Sequence, residues 1–207
     1  MKNHKLSKLL MASVISSLTV PTLGQQLEEV VVTASKRAEN LQDIPQAVTA
    51  FSSERLVELG IVETSDLMGA IPNIQVTSAY GRTQPNFSIR GISVANEFSA
   101  ATASPVGVYV DEVYQSFRAS HGQQLFDLES VEVLRGPQGT LYGRNTTGGA
   151  VNVNTVKPSL EEGMSGFLNV RLGNYSYADF TGAVEATIIP DVLGVRLSGA
   201  VSEADGY

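Results

Sequence analysis

The chain has 207 residues, 43% hydrophobic and only 17% charged, so it is no disordered polyelectrolyte and has the length of one or two ordinary domains. A net charge of −7 argues against a nucleic-acid partner, which needs a basic footprint. With no Cys and only His4 and His121, disulfides, thiolate sites and cysteine nucleophiles are excluded, and no metal centre or cofactor is expected.

Lys2, Lys5 and Lys8 precede a short apolar stretch, Leu9 to Leu18, diluted by Ser13, Ser16 and Ser17. Thr22 and Gly24 are small residues ahead of Gln25, so residues 1–24 read as a secretory signal peptide. Its removal takes three lysines and no acid, and moves the net charge from −7 to −10. No other stretch approaches the ~18 apolar residues of a membrane helix, so any membrane crossing must use strands.

Residues 25–42 form a separate N-terminal segment. Within it, Glu29-Val30-Val31-Val32-Thr33-Ala34 has high strand preference, and the polar residues Ser35 to Gln42 follow like a leash. This run is either the first strand of the next domain or a strand that adds to another protein's sheet edge.

Residues 43–158 read as an α+β domain. Ser52 or Ser53 can cap a short helix over 54–59 that Gly60 stops. Thr64 can cap a second over 65–70, ended before Pro72. Strand-like runs follow at Ile74–Thr77, Phe87–Ile89, Val106–Val110, Val131–Leu134 and Val151–Asn154, separated by Gly-, Ser-, Asn- and Pro-bearing loops.

After Pro158 the chain alternates. Leu168, Val170 and Leu172 oppose Asn169 and Arg171. Phe180, Val184 and Ile188 oppose Asp179, Thr181 and Glu185. Leu193, Val195, Leu197 and Val201 oppose Arg196, Ser198 and Ser202. Strands of ~10 residues with one apolar face suit a transmembrane β-barrel or an amphipathic soluble sheet, and alternation alone does not separate them. Three strands cannot close a barrel, so the chain is expected to be an N-terminal fragment.

The glycine-rich stretch from Leu134 to Thr155 lacks the Gly-Lys pair of a P-loop and the G-x-G-x-x-G dinucleotide pattern. Its glycines, Gly136, Gly139, Gly143, Gly148 and Gly149, are therefore expected to serve turns and close backbone approach. No G-x-S-x-G elbow accompanies His121, which lies in a polar loop, and no enzyme is expected.

Four motifs in order resemble those of the TonB-dependent outer-membrane receptors and transporters, over residues 27–207. Glu29 to Ala34 resembles the TonB box. Ser88-Ile89-Arg90-Gly91-Ile92 resembles an "IRG" strand. Val108-Tyr109-Val110-Asp111-Glu112-Val113 resembles a strand that usually reads "YVDGV", with Glu112 where Gly is common. Val131 to Pro137, Leu141-Tyr142-Gly143 and Gly148 to Asn152 resemble the longest signature.

The resemblance implies an α+β plug, a small mixed sheet with short helices, over 43–158. Residues 165–207 would then be the first three strands of an antiparallel transmembrane β-barrel, 22-stranded in the full family. It implies active uptake across a Gram-negative outer membrane of a bulky ligand, a ferric siderophore first, with oligosaccharide or cobalamin as alternatives. A truncated, non-transporting plug-like module is the other alternative. The implied partners are the TonB C-terminal domain at Glu29, Val30, Val31, Val32, Thr33 and Ala34, outer-membrane lipid, and a small-molecule ligand such as an iron chelate, with no nucleic acid. The short segment ahead of the plug leaves no room for the signalling domain of transducing members, so a transporter is expected.

By matching position, Arg90, Glu132 and Arg135 would lock plug to barrel, where burial raises the cost of losing a charge partner above that of a surface pair. Apical loops over 80–86, 94–104 and 117–123 would meet ligand through Tyr80, Arg82, Asn96, Phe117, Arg118 and His121, since aromatics and cations suit an anionic chelate. Gly91 joins Gly136, Gly139, Gly143, Gly148 and Gly149 as structural glycines.

Overall fold

The computed structural model describes residues 31–32, 36–37, 39–41, 44–81, 84–99, 102–122, 124–161 and 163–205. The expected signal peptide lies outside them, as do Glu29, Val30, Thr33, Ala34 and Arg82.

Twelve strands are present among the described residues. They are β1 (Val31–Val32), β2 (Glu39–Asn40), β3 (Val48–Ser52), β4 (Ile74–Thr77), β5 (Asn86–Ile89), β6 (Val106–Val110), β7 (Val113–Tyr114), β8 (Leu128–Arg135), β9 (Gly149–Thr155), β10 (Met164–Leu172), β11 (Ala178–Ile189) and β12 (Leu193–Glu203). Three short helices are α1 (Ser53–Glu58), α2 (Leu67–Ala70) and α3 (Gly139–Tyr142). The centre of the globular part is a five-stranded mixed sheet in the order β3-β8-β9-β6-β7, with β6 and β9 parallel and the other pairs antiparallel. β4 and β5 form a separate antiparallel pair.

Alternation gives the mixed sheet two packed faces. Val106 and Val108 of β6, Val131 and Val133 of β8, and Val151 and Val153 of β9 bury one face. Leu56 of α1, Leu67 of α2, and Phe87 and Ile89 of β5 cover it. Fully buried side chains of this size contribute roughly 1.5–3 kcal/mol each. The opposite face carries Tyr109, Leu134 and Ala150, and it meets Val32, Ile44 and Tyr142.

The helices start where the sequence places them, with one exchange of roles. The Ser52 hydroxyl accepts from the Arg55 amide at 3.4 Å, and Gly60 turns the chain out of α1 at φ +66°. Thr64 does not cap the second helical segment. Glu63 caps a 3₁₀ turn over Thr64–Asp66 by a reciprocal box with Asp66, whose carboxylate accepts from the Glu63 amide at 2.9 Å. Thr64 is buried and donates instead to the carbonyl of His121 at 2.6 Å.

Gly149 opens β9 at φ +152°, where a Cβ would fall 2.3 Å from the Leu134 carbonyl oxygen. Only glycine lets β8 and β9 approach at this point. Strands β2, β3 and β7 are additional to the strand-like runs of the sequence; β2 and β7 have two residues each and β3 has five.

β10, β11 and β12 form their own antiparallel sheet. The register aligns Met164, Ala186 and Val195, then Gly166, Val184 and Leu197, then Val170, Phe180 and Val201, on one face. The other face aligns Ser165, Glu185 and Arg196, and then Arg171, Asp179 and Ser202. The apolar face is solvent-exposed, whereas Asp179, Thr181 and Ala183 are buried on the polar face. No helix among the described residues is long and apolar enough to cross a membrane.

Candidate functional site

Three places carry the sequence-predicted residues. The first is the N-terminal strand. β1 pairs with β2, Val31 opposite Asn40 and Val32 opposite Glu39. The Val32 side chain is 1% exposed and sits among Ile44, Tyr109, Leu134, Tyr142 and Ala150. Beside it, Lys36 Nζ lies 5.6 Å from the Tyr142 ring centre, within cation–π range. Tyr109 donates to the Tyr142 carbonyl at 2.6 Å, and burial raises both phenols above the usual tyrosine range. The glycine-rich stretch therefore supplies, through Tyr142, part of the surface on which the N-terminal strand rests.

The second place is the set of loops over 80–99 and 117–122. Tyr80 and Phe117 are exposed, and exposed Asn96 accepts from the Phe98 amide at 3.0 Å. Arg118 and His121 are not surface residues: they are 2% and 3% exposed. They belong to a 3₁₀ turn, Arg118–His121, packed against the globular core. Arg118 donates to Asn86 Oδ1 at 2.5 Å, to the Glu97 carbonyl at 3.1 Å and to the Ser99 carbonyl. His121 Nε2 lies 3.0 Å from the Gln115 carbonyl oxygen. Burial holds this imidazole below the usual histidine range; the Gln115 carbonyl opposes that shift and Arg118 adds to it. A polar Ser/Gly/Gln context suggested solvent, but the turn folds both side chains inward, where the Asn86 side chain and the carbonyls of Glu97, Ser99 and Gln115 engage them, while the Arg118 Nε is buried with no hydrogen-bond partner among the described residues.

The third place holds the residues expected to lock plug to barrel. Arg90 is exposed at φ +53°, and a Cβ on Gly136 would stand 3.4 Å from its Nη1. The structure therefore brings Arg90 to the Arg135-Gly136 turn. The Nε of Arg135 is buried with no hydrogen-bond partner among the described residues. Glu132 is fully buried on the opposite face of β8, where its carboxylate accepts from Asn154 at 3.2 Å. Of the glycines, Gly91, Gly136 and Gly143 also take positive φ, while Gly148 is crowded by Ile92 and Val106 at 3.2 Å. Gly139 stands in open space with an ordinary φ, so no steric need for glycine exists there.

The contacts that join the globular part to the β10–β12 sheet are ones the sequence reading missed. Arg196 of β12 holds Asp127 with Nε–Oδ2 at 2.9 Å and Nη2–Oδ1 at 2.5 Å, and reaches Glu185 at 2.7 Å. That fork is the reason the Asp127 carboxyl sits below the usual carboxylate range. Gln124 donates to Asp179 and to Ser202, each at 3.1 Å. Arg196 opposite Glu185 was visible as alternation on adjacent strands; nothing near Asp127 in the sequence marks its partner.

An α+β domain bonded to the polar face of an antiparallel sheet, whose other face is mostly apolar and exposed, is the arrangement of the plugged β-barrel class. The TonB-dependent receptor plug domain matches residues 40–150, and the chain belongs to that family. It is 34% identical to the pesticin receptor of Yersinia pestis over 138 residues, which are 66% of this chain and 20% of that protein. It is 26% identical to the vitamin B12 transporter BtuB of Vibrio vulnificus over 209 aligned residues, 98% of this chain and 33% of that one. The ferric yersiniabactin uptake receptor FyuA from Yersinia pestis superposes with a TM-score of 0.64 at 29% identity, over 74% of this chain and 24% of FyuA. The chain thus spans between a fifth and a third of these relatives.

Proposed function

We propose that the chain is the plug and first wall strands of an outer-membrane receptor that imports a scarce, bulky ligand with energy delivered through TonB. The observation that carries this reading is the plug domain bonded, through Arg196 and Gln124, to the polar face of a sheet whose apolar face suits lipid. The N-terminal strand would pair with the TonB C-terminal domain by strand addition. That requires Val32 to leave its pocket beside Tyr142.

A ferric siderophore is the cargo favoured by likeness to the ferric yersiniabactin receptor. A cobalamin cargo is the second reading, supported by likeness to a vitamin B12 transporter along nearly the whole chain. Arg90 and Arg135 would meet acids of the remaining barrel wall, whereas Glu132 is fully buried and bonded to Asn154 within the globular part, out of reach of that wall. Tyr80, Arg82, Asn96 and Phe117 would face the ligand.

The test is Val31→Pro in the membrane-embedded receptor. Proline removes the backbone donor that strand addition needs. Uptake of a labelled ferric chelate should fall to background while surface binding of the same chelate stays intact. Normal uptake would refute the coupling assignment.

A further inference from the structure

We propose that the cleft between α1 and the polar face of the β10–β12 sheet is a transit site, which takes an anionic group of the transported ligand on Arg171. This rests on the uptake reading above and goes beyond it by adding a binding step where plug meets wall, after capture at the surface.

The cleft has a volume of about 350 Å³, the size of a small-molecule site. Leu56 and Val57 of α1 line one side, and Phe167, Asn169, Arg171 and Thr181 of the sheet line the other. Phe167, Asn169 and Arg171 alternate with Leu168 and Val170, so all three project from the polar face. Val57 is 68% exposed and Phe167 38%, so the apolar groups on the two sides do not close on each other.

Two arginines border the cleft, and they differ in what already holds them. Arg196 is fully committed: Asp127 takes its Nε and Nη2, and Glu185 takes its Nη1. Arg171 is open. Its side chain is 43% exposed, and its guanidinium makes no hydrogen bond among the described residues. Its ion pair is a loose one, Nε to Asp179 Oδ2 at 3.8 Å. Asp179 is fully buried, and its Oδ1 accepts from Gln124 and Ser202. That carboxylate is thus fixed by the plug and by β12, and it holds Arg171 over the cleft without engaging its donors. Asp179 is a positioning residue; Arg171 is the one that meets ligand.

Charge selects the occupant. A guanidinium with unused N–H donors beside apolar side chains favours an anion that carries apolar bulk, such as a phenolate or carboxylate arm of a chelate. Low-dielectric walls strengthen that attraction relative to the same contact in water. A neutral ligand gains the apolar walls alone.

The experiment compares surface binding with energised uptake of two ferric chelates, an anionic tris-catecholate and a neutral trihydroxamate. It uses cells whose only iron-chelate receptor is the full-length protein. Arg171→Gln should slow catecholate uptake about tenfold, with its surface affinity and the trihydroxamate uptake both kept within about twofold. Arg171→Lys should recover part of the loss, because it restores the charge without the fork. Val57→Glu, at an exposed position, adds a like charge on the opposite side and should slow the catecholate alone. Catecholate uptake unchanged in Arg171→Gln would overturn the site, and no effect of Val57→Glu would exclude the cleft as its place. Equal slowing of both chelates would reduce Arg171 to a structural role, and surface affinity that falls in step with uptake would make it a capture residue; either result overturns the transit site. Uptake of the trihydroxamate alone, blocked by Val31→Pro, would overturn the anion site and leave the transport reading standing. Uptake of neither chelate would remove the iron-chelate cargo and the site with it.

Discussion

His121 illustrates how burial redirects a residue's role. Its imidazole titrates below the ordinary histidine range because it is buried, so the unfolded segment takes up a proton first as the pH falls. Stability from the neutral ring is complete well above about pH 6.5 and is lost as the pH drops below it. Amide protection factors over residues 115–122, corrected for the intrinsic pH dependence of exchange, should therefore fall between roughly pH 6.5 and pH 5, and His121→Asn should flatten that dependence. Protection factors that are equal at both ends of this window in the native protein would exclude a buried neutral imidazole. Arg118 and His121 both sit in a stretch whose composition suggests a solvated loop. They bond to the Asn86 side chain and to the carbonyls of Glu97, Ser99 and Gln115, partners that no local pattern specifies.

At the scale of elements, the β10–β12 sheet follows its sequence closely, because period-two alternation fixes which side chain faces which way. Val170 aligns with Phe180 and Val201 on the apolar face, and Asn169 aligns with Thr181 on the polar face. In a lipid-embedded barrel, Val170→Arg should cost about 2–4 kcal/mol, whereas Asn169→Arg should cost far less. Denaturant titration of receptor refolded into liposomes measures the difference, and equal costs would place this face away from lipid. The short strands β3 and β7 were harder to read. They owe their existence to neighbours: β3 pairs with β8 over its whole length, and β7 with β6 at two positions. Likewise the second helical segment was legible, but its cap was not. Glu63 and Asp66 outcompeted Thr64 because the buried carbonyl of His121 claimed the Thr64 hydroxyl.

For the molecule as a whole, the bond between plug and wall is the decisive contact. Asp127 and Arg196 meet as a two-point fork with little solvent access, so each oxygen is tied to a fixed donor geometry. Asp127→Asn should remove about 1–3 kcal/mol of this contact. It should increase amide exchange over residues 124–128 and leave β10–β12 protection unchanged. Arg196→Lys should behave similarly, because an ammonium cannot reproduce the fork. Protection unchanged over residues 124–128 in Asp127→Asn would mean that the plug is held by other contacts.

The sequence by itself determined the division into an α+β part and an amphipathic strand part, the strand faces, and the ordered motifs that place the chain in its family. These are local or periodic properties, written in the spacing of neighbouring residues. Tertiary structure alone decided that Val32 rests against Tyr142, that Arg118 and His121 turn inward, that Arg171 opens onto the cleft beside α1, and that Asp127 meets Arg196. Each of these joins residues far apart along the chain, and long-range partners are chosen by the packing of whole elements rather than by any pattern within one of them.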